Sequence, residues 1–250
     1  MSRRPVAAVL AGCLLLAIAA CGADRRDPAT AGTVTVLAAV SLTEVFTALG
    51  EGFEQSHPGR RVRLSFAGSA QLAGQIAAGA PADVFAAAGP ESMQRVAGGR
   101  DAVVFARNQL VIAVPPGNPR GLRTLADLAV PDLKVAICAA QVPCGIAAEK
   151  ALASAGVDLT PVTLDQNVRA ALTKVRLGEV DAALVYRTDV RVAAGEVEAV
   201  EFAESAAAGN DYPIVVLPGA ADPAAAAEFV AYVRSGAGRE QLREAGFQLP

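Results

Sequence analysis

The chain has 250 residues, of which 22 are Lys or Arg and 25 are Asp or Glu, for a formal net charge of −3. This slightly acidic balance argues against a basic nucleic-acid-binding protein, and 53% hydrophobic residues exclude a disordered chain without a core. The single histidine, His57, cannot form a multi-histidine metal site, and the Cys-x-x-Cys spacing of zinc ribbons is absent. We expect His57, which precedes Pro58 in a polar turn, to be a solvated surface residue.

The start of the chain has the pattern of an export signal. Two arginines precede an apolar run from about Val6 to Ala20, which is short for a membrane span. The run ends in Ile-Ala-Ala-Cys21, which is similar to the lipobox of bacterial lipoproteins, where the cysteine thiol receives the lipid. An ordinary cleaved signal with an incidental cysteine is the alternative. We predict a lipoprotein signal peptide over residues 1–20, lipidation at Cys21 and a flexible tether over 21–32.

Two cysteines, Cys138 and Cys144, lie beyond the signal and the lipobox. A disulfide between them is expected, because an exported protein matures in an oxidising compartment. The loop that they close has seven residues, for which the chain-entropy relation gives about 2–2.5 kcal/mol of stability. A redox-active pair is the alternative, although catalytic pairs usually have the closer Cys-x-x-Cys spacing.

Short β-like runs alternate along the chain with segments of helical periodicity, which favours βαβ units and parallel sheets. The segments divide into two α/β halves: lobe 1 over residues 33–107, rejoined by about 211–250, and lobe 2 over 108–210. Ligands of such sheets bind at the carboxyl ends of strands, so a cleft between the lobes is the expected site. The predicted strands are 34–39, 61–66, 83–87, 109–114, 134–139, 181–186 and 212–217, and the predicted helices are 41–55, 69–78, 145–155, 167–177 and those within 223–244.

Strand-to-helix junctions supply candidate anion-binding groups. Each junction offers free backbone N–H groups and the positive end of a helix dipole, which bind anions without lysine or arginine. Ser41 with Glu44 fits a capping box, and Ser69 follows Gly68 at the second junction. Taken singly, these serines are ordinary helix caps, so the whole set of junctions carries the prediction. Asp165, the one carboxylate near a junction, is expected to be a solvated loop residue.

Eight short stretches carry a resemblance to a known family. In chain order they are VLAAVSLT (36–43), FAGS (66–69), GAPADVF (79–85), VPCG (142–145), VRAAL (168–172), LVY (184–186), YPIVV (212–216) and GF (246–247). This series resembles the periplasmic molybdate-binding proteins of ABC transporters. The resemblance covers about residues 33–250 and implies the two-lobed type II periplasmic-binding-protein-like fold, of the α/β class, with a ligand cleft between the lobes.

The resemblance also implies an oxyanion site. Ser41 and Ser69 would donate through hydroxyl and backbone N–H, Cys144 and Val168 through backbone N–H, and Tyr186 through its phenol. Cys144 stands where many members of the family have alanine, and a disulfide to Cys138 would brace its loop without removing the N–H. Such a set of donors suits molybdate, which offers only acceptors, whereas phosphate also needs an acceptor for its own hydroxyl.

The implied function is capture of molybdate, and of tungstate in the same site, for delivery to an ABC permease. The resemblance implies a monomer that is not an enzyme, has no cofactor and no direct protein ligand to molybdenum, and is anchored by lipid outside the cell membrane. Three alternatives stay open: a binding protein for sulfate or another oxyanion, an exported thiol oxidoreductase using Cys138 and Cys144, and a purely structural lipoprotein.

Overall fold

The computed structural model describes residues 32–96 and 101–250. The predicted signal peptide, the predicted lipidation site Cys21 and residues 21–31 of the predicted tether lie outside the described residues. No helix in the described part of the chain is long and apolar enough to cross a membrane.

The first sheet, sheet 1, has five strands drawn from both ends of the described chain. Its strands are β1 (Thr33–Ala39), β2 (Arg61–Ala67), β3 (Val84–Ala86), β4 (Val103–Asn108) and β10 (Asn210–Val216), in the order β2-β1-β3-β10-β4. Strand β1 is parallel to β2 and β3, whereas β10 is antiparallel to β3 and β4. The three parallel strands therefore place their carboxyl ends at one edge of the sheet.

The second sheet, sheet 2, also has five strands, in the order β7-β6-β8-β5-β9. These are β5 (Leu110–Val114), β6 (Val135–Cys138), β7 (Thr163–Asp165), β8 (Ala182–Tyr186) and β9 (Glu198–Val200). Strand β6 is parallel to β7 and β8, and β5 is antiparallel to β8 and β9. Every residue of β5, β6 and β8 is buried, as expected for central strands covered on both faces.

Helices follow most of the strands and confirm the predicted α/β class. The helices are α1 (Thr43–Ser56), α2 (Ser69–Ala77), α3 (Pro90–Met93), α4 (Pro143–Ala155), α5 (Val168–Arg176), α6 (Arg187–Val192), α7 (Pro223–Val233) and α8 (Gly236–Glu244). The sequence prediction missed β4 and the three-residue strands β7 and β9, which are too short to show a period, and it missed the short helices α3 and α6.

The chain passes between the sheets at two neighbouring points. Asn108 is the last residue of β4 and Leu110 the first of β5, and the chain returns to sheet 1 where β10 begins at Asn210. Asn108 and Asn210 are partners in the antiparallel pairing of β4 and β10. Both connections between the sheets therefore start from one pair of asparagines.

Aromatic packing joins helix α1 to helix α7 and corrects the prediction for His57. Phe46 and Phe53 of α1 pack edge-on against Phe229 of α7, with ring centroids 6.2 and 5.4 Å apart. His57 is half-buried rather than solvated, because its ring stacks on Phe53 at 4.3 Å and meets the edge of Tyr232. The polar sequence around Pro58 gave no sign of this stacking.

The predicted capping box at the start of α1 is wrong. Ser41 lies in a single 3₁₀ turn, Val40–Leu42, and Leu42 is the N-cap residue of α1 without a side-chain hydrogen bond. The Ser41 hydroxyl instead lies 3.0 Å from the hydroxyl of Tyr212, and Glu44 pairs with Arg169 on the other side of the molecule's central cleft. Two long-range contacts have replaced the expected local ones.

Candidate functional site

A cavity lies between the two sheets. All five residues predicted to contact an oxyanion line this cavity: Ser41, Ser69, Cys144, Val168 and Tyr186. Residues from both sheets contribute, so a ligand in the cavity would touch both halves of the fold. The other lining residues are Ala39, Val40, Ala67, Gly68, Ala88, Val142, Pro143, Gln166 and Asn167.

Helix N-termini form much of the wall. Helices α2, α4 and α5 begin at Ser69, Pro143 and Val168, and their N-cap residues Gly68, Val142 and Asn167 also line the cavity. First-turn N–H groups have no intrahelical acceptor, and the dipole places partial positive charge there. Such ends attract an anion through neutral groups.

The two walls approach each other closely beside the cavity. A Cβ atom on Gly68 would lie 2.9 Å from the carbonyl oxygen of Gln166, across the gap between the sheets. A Cβ atom on Gly89 would lie 3.0 Å from Pro143. Glycine is therefore needed at both positions for the two halves to meet in this arrangement.

Each of the three hydroxyl groups in the wall has a protein partner behind it. The backbone N–H of Ala88 donates to Ser69 Oγ at 2.9 Å, and Asn210 Nδ2 donates to the hydroxyl oxygen of Tyr186 at 2.7 Å. Ser41 Oγ lies 3.0 Å from the Tyr212 hydroxyl, and either oxygen can donate to the other. The hydroxyl oxygens are thus held by buried neighbours, which fixes the positions of the hydrogen-bond donors.

Burial keeps the two tyrosines protonated. Desolvation raises the pKa of Tyr186 well above its ordinary value of 10, and the neighbouring Tyr212 and Asp189 raise it further. Burial likewise raises the pKa of Tyr212, with Asp189 adding to the effect. Tyr186 is therefore a neutral donor at any physiological pH.

The cavity wall presents hydrogen-bonding groups but no ionised side chain among its described lining residues. No lysine, arginine, histidine, aspartate or glutamate is among its lining residues in the described part of the chain. Nor do the described residues contain a cluster of three or more His, Cys, Asp or Glu side chains able to hold a metal ion. A ligand with acceptors only, such as a fully deprotonated tetrahedral oxyanion, is the chemical complement of these walls.

Asp165 does not supply an acceptor to the cavity, and the prediction of a solvated loop residue is wrong. It ends strand β7 and is 8% exposed. Its carboxylate pairs with Lys174 Nζ at 2.6 Å and also accepts from the Thr163 hydroxyl. Lys174 follows nine residues later on α5, so the pair ties that helix to the end of the neighbouring strand.

An ion cluster outside the cavity connects the two halves. Arg169 follows Val168 on α5 and donates to both carboxylate oxygens of Glu44 on α1, at 3.1 and 2.7 Å. Its Nε donates to Asp189 on α6 at 2.6 Å. Asp189 is fully buried, and desolvation raises the pKa of its carboxyl group to about 6 although Arg169 opposes this shift. Arg169 therefore balances a buried charge as well as bridging the cleft.

Sequence reasoning found the five lining positions but missed the residues behind them. Arg169 and Tyr212 lie within stretches that carry the resemblance, but their contacts were not predicted, because their partners come from other segments of the chain. Asn210 and Asp189 lie in no such stretch. Asn108 and Asn210 lie where the chain passes between the two sheets, and this position can be seen only in the folded structure.

Similarity to known proteins shows the family of this chain. Residues 34–248 match the family described as bacterial extracellular solute-binding protein. The chain belongs to this family. Among its relatives, the molybdate-binding protein ModA of Mycobacterium tuberculosis is 40% identical over 247 residues, which cover 95% of each chain. The molybdate-binding protein ModA of Escherichia coli is 30% identical over 238 residues, covering 87% of this chain and 90% of the relative.

Solved structures of solute-binding proteins share the fold. The periplasmic molybdate-binding protein of Azotobacter vinelandii superposes with a TM-score of 0.74 at 21% identity, covering 87% of this chain and 99% of that one. The sulfate-binding protein SubI of Mycobacterium tuberculosis gives the same TM-score, 0.74, at 18% identity over 87% of this chain and 86% of that chain. The two-lobed fold class and the resemblance to molybdate-binding proteins are confirmed.

The solute-binding protein braces one cavity wall with a disulfide. Cys138 at the end of β6 is bonded to Cys144 in the first turn of α4, as expected, and their Cα atoms are 5.6 Å apart. Cys144 faces the cavity through its place at the helix N-terminus, so the bond holds that turn against the sheet.

Replacing both Cys138 and Cys144 with alanine is expected to lower the free energy of unfolding by about 2–2.5 kcal/mol, from the loop-closure relation. Oxyanion affinity should change by less than about threefold, because the backbone N–H of residue 144 remains. Chemical denaturation and calorimetric titration measure the two effects. Loss of all oxyanion binding in the double variant would contradict the bracing role. So would a thiol–disulfide exchange activity that the unmodified protein has and the double variant lacks.

Proposed function

We propose that this solute-binding protein captures molybdate, and tungstate in the same way, outside the membrane and delivers it to an ABC permease. The observation that carries the proposal is the convergence of neutral donors from both sheets on one cavity without an ionised side chain among its described lining residues. Relatives at 40 and 30% identity that are named molybdate-binding proteins support it.

The donor set suits a dianion that must be bound and later released. Hydrogen bonds to a charged group contribute about 1.5–3 kcal/mol each, so donors at Ser41, Ser69, Cys144, Val168 and Tyr186 give roughly 7–15 kcal/mol before any cost. Desolvation of the dianion and closure of the cleft offset much of this. Because the donors are neutral, the cleft can open without leaving a buried cation unpaired.

Each sheet with its helices forms one lobe in this proposal, and the two crossings beside Asn108 and Asn210 form the hinge. Closure of two lobes around a ligand is a common mechanism for such folds. The protein acts as a monomer that binds and releases its ligand unchanged, without a cofactor. A lipid on Cys21 would keep it near the permease at the outer face of the membrane.

The first test is a thermal-shift titration of the purified protein with molybdate, tungstate, sulfate and phosphate. A ligand at 100 times its Kd adds about 2.7 kcal/mol to stability, which for a protein of this size is about 5–10 °C in Tm. We expect molybdate and tungstate at micromolar concentration to give this shift and phosphate to give none. A shift with sulfate alone would instead support the sulfate-binding alternative.

A matched pair of tyrosine variants serves as the control. Tyr186→Phe removes a hydroxyl from the cavity wall, and Tyr232→Phe removes one that lies against the aromatic cluster of α1, outside the cavity. Only Tyr186→Phe should reduce the shift caused by molybdate. No shift with any oxyanion in the unmodified protein would overturn the proposal.

A further inference from the structure

Asn210 lies directly behind the cavity wall, at the point where the chain returns to sheet 1. We propose that Asn210 is a positioning residue that makes the site selective for fully deprotonated oxyanions, by fixing the direction in which the Tyr186 hydroxyl donates. The inference rests on the proposed function and deepens it. Asn210 touches no ligand in this proposal and acts only through Tyr186.

The orientation of the Asn210 amide follows from its neighbours. Its Nδ2 atom lies 2.6 Å from the carbonyl oxygen of Ala88 and 2.7 Å from the hydroxyl oxygen of Tyr186. A backbone carbonyl can only accept, so the NH₂ group and not the amide oxygen must face Ala88. The second hydrogen of the same nitrogen then donates to Tyr186, and both contacts are buried, since Asn210 is 8% exposed and Tyr186 1%.

The direction of the Tyr186 hydroxyl is thereby decided. Its oxygen accepts from Asn210, so its own hydrogen cannot point back along that bond and is free to donate into the cavity that Tyr186 lines. Burial raises the pKa of the phenol well above 10, so this hydrogen is always present.

Ala88 extends the same arrangement to the opposite wall. Its carbonyl oxygen accepts from Asn210, and its backbone N–H donates to Ser69 Oγ at 2.9 Å. Ser69 therefore also has an acceptor lone pair satisfied from behind, which leaves its hydrogen for the cavity. Asn210 and Ala88 link Ser69, which follows a strand of sheet 1, to Tyr186 of sheet 2 through three polar atoms, namely the nitrogen and oxygen of Ala88 and Nδ2 of Asn210.

Selectivity follows from the donor and acceptor pattern. Molybdate and tungstate present only acceptor oxygens, which match hydrogens fixed toward the cavity. Hydrogen phosphate carries one P–OH donor, and a hydroxyl whose lone pair is already used by Asn210 is a poor acceptor for it. A buried donor left unpaired costs about 1–3 kcal/mol, which is a factor of about 5 to 150 in affinity.

The variant Asn210→Asp is expected to reverse this pattern. An aspartate oxygen facing Tyr186 accepts from the phenol, whether the carboxyl group is ionised or donates its proton to the Ala88 carbonyl. Tyr186 would then turn its hydrogen away and present a lone pair to the cavity. We expect molybdate affinity to fall at least tenfold, and the ratio of phosphate Kd to molybdate Kd to fall at least tenfold.

Calorimetric titration of the full chain with molybdate and with inorganic phosphate measures this ratio. Asn118→Asp is the matched control, because Asn118 donates its amide hydrogen bond to Leu122 in a loop outside the cavity. The ratio of phosphate Kd to molybdate Kd should be the same in this variant as in the unmodified protein. Asn210→Ser removes the amide without adding a carboxylate and should lower the ratio at least threefold, so it serves if the aspartate variant does not fold.

A double-variant cycle separates positioning from simple structural damage. In a Tyr186→Phe background there is no hydroxyl to orient, so Asn210→Asp should leave the ratio unchanged within twofold. An equal change of the ratio with and without the Tyr186 hydroxyl would overturn the inference while leaving molybdate capture intact. An unmodified protein that binds no molybdate would overturn the proposed function itself, and this inference with it.

Discussion

Gly145→Ala is expected to lower stability and to weaken oxyanion binding at least tenfold. A Cβ atom at this position would lie 1.9 Å from the carbonyl oxygen of Ala139 and 2.9 Å from that of Cys138. Both obstacles are backbone, so the first turn of α4 must move away from strand β6 to make room. Overpacking of this kind costs about 1–3 kcal/mol, and the movement shifts the N–H of Cys144 in the cavity wall.

The same substitution elsewhere in the chain gives the control. Gly74 lies in the middle of helix α2, and a Cβ atom there meets no atom within 4 Å. Gly74→Ala should therefore be stabilising by about 0.5–1 kcal/mol through helix propensity alone. Chemical denaturation and oxyanion titration of both variants provide the comparison. If Gly145→Ala bound molybdate as tightly as the unmodified protein, this result would show that the close packing of α4 against β6 does not position the N–H of Cys144.

Arg169→Leu is expected to reduce the free energy of unfolding by about 3–5 kcal/mol at pH 8, because it leaves a buried carboxylate without its countercharge. Asp189 is fully buried, and Arg169 is its only ionic partner in the described part of the chain. The bridge from α5 to Glu44 on α1 is lost at the same time.

The stability that Arg169→Leu loses should become smaller as the pH is lowered. The pKa of Asp189 is raised to about 6 from an ordinary value of 3.8, so between these values the native state holds more protons than the unfolded chain. Stability from this group is therefore present below about pH 4 and decreases as the pH rises through about 6. Without Arg169 the pKa rises further, so at pH 5 the variant buries a neutral carboxyl group and differs less from the unmodified protein.

Arg187→Leu is the matched control for this effect. Arg187 also forms a bidentate pair, with Glu201, but the two side chains are 38% and 53% exposed. Exposed pairs contribute about 0–1 kcal/mol, so this variant should show a small loss without the same pH dependence. Urea denaturation of both variants at pH 5 and pH 8 decides the matter, and an Arg169→Leu loss that is equal at both pH values would contradict the role given to Asp189.

Local sequence patterns were sufficient to predict the α/β class and most of the longer elements, and the resemblance to molybdate-binding proteins supplied five of the residues that line the cavity. The apolar run of β8 ending in Tyr186 and the Gly68-Ser69 junction are local patterns, and local patterns determine where strands end and helices begin. Because parallel strands bring their carboxyl ends together, residues at separate junctions could be assigned to one site from the sequence alone.

The error at the start of α1 concerns contacts between residues that are distant in sequence. Ser41 and Glu44 have the spacing of a capping box, yet Tyr212 and Arg169, which are 171 and 125 residues away, are the partners in the structure. The partner of Asp165 is only nine residues away, but α5 must fold before Lys174 can reach it. The role of Asn210 depends on three chain segments meeting, which no window of sequence shows.

The neutrality of the cavity wall also determines the electrostatic potential around the cleft once an anion is bound. A cationic site would cancel the potential of the anion locally, but hydroxyl and N–H dipoles only spread the ligand's charge over their neighbours. Bound molybdate would therefore leave a negative potential at the cleft of an already acidic molecule. Loaded and empty protein then differ in electrostatic potential as well as in shape, and a partner at the membrane could distinguish them by either property.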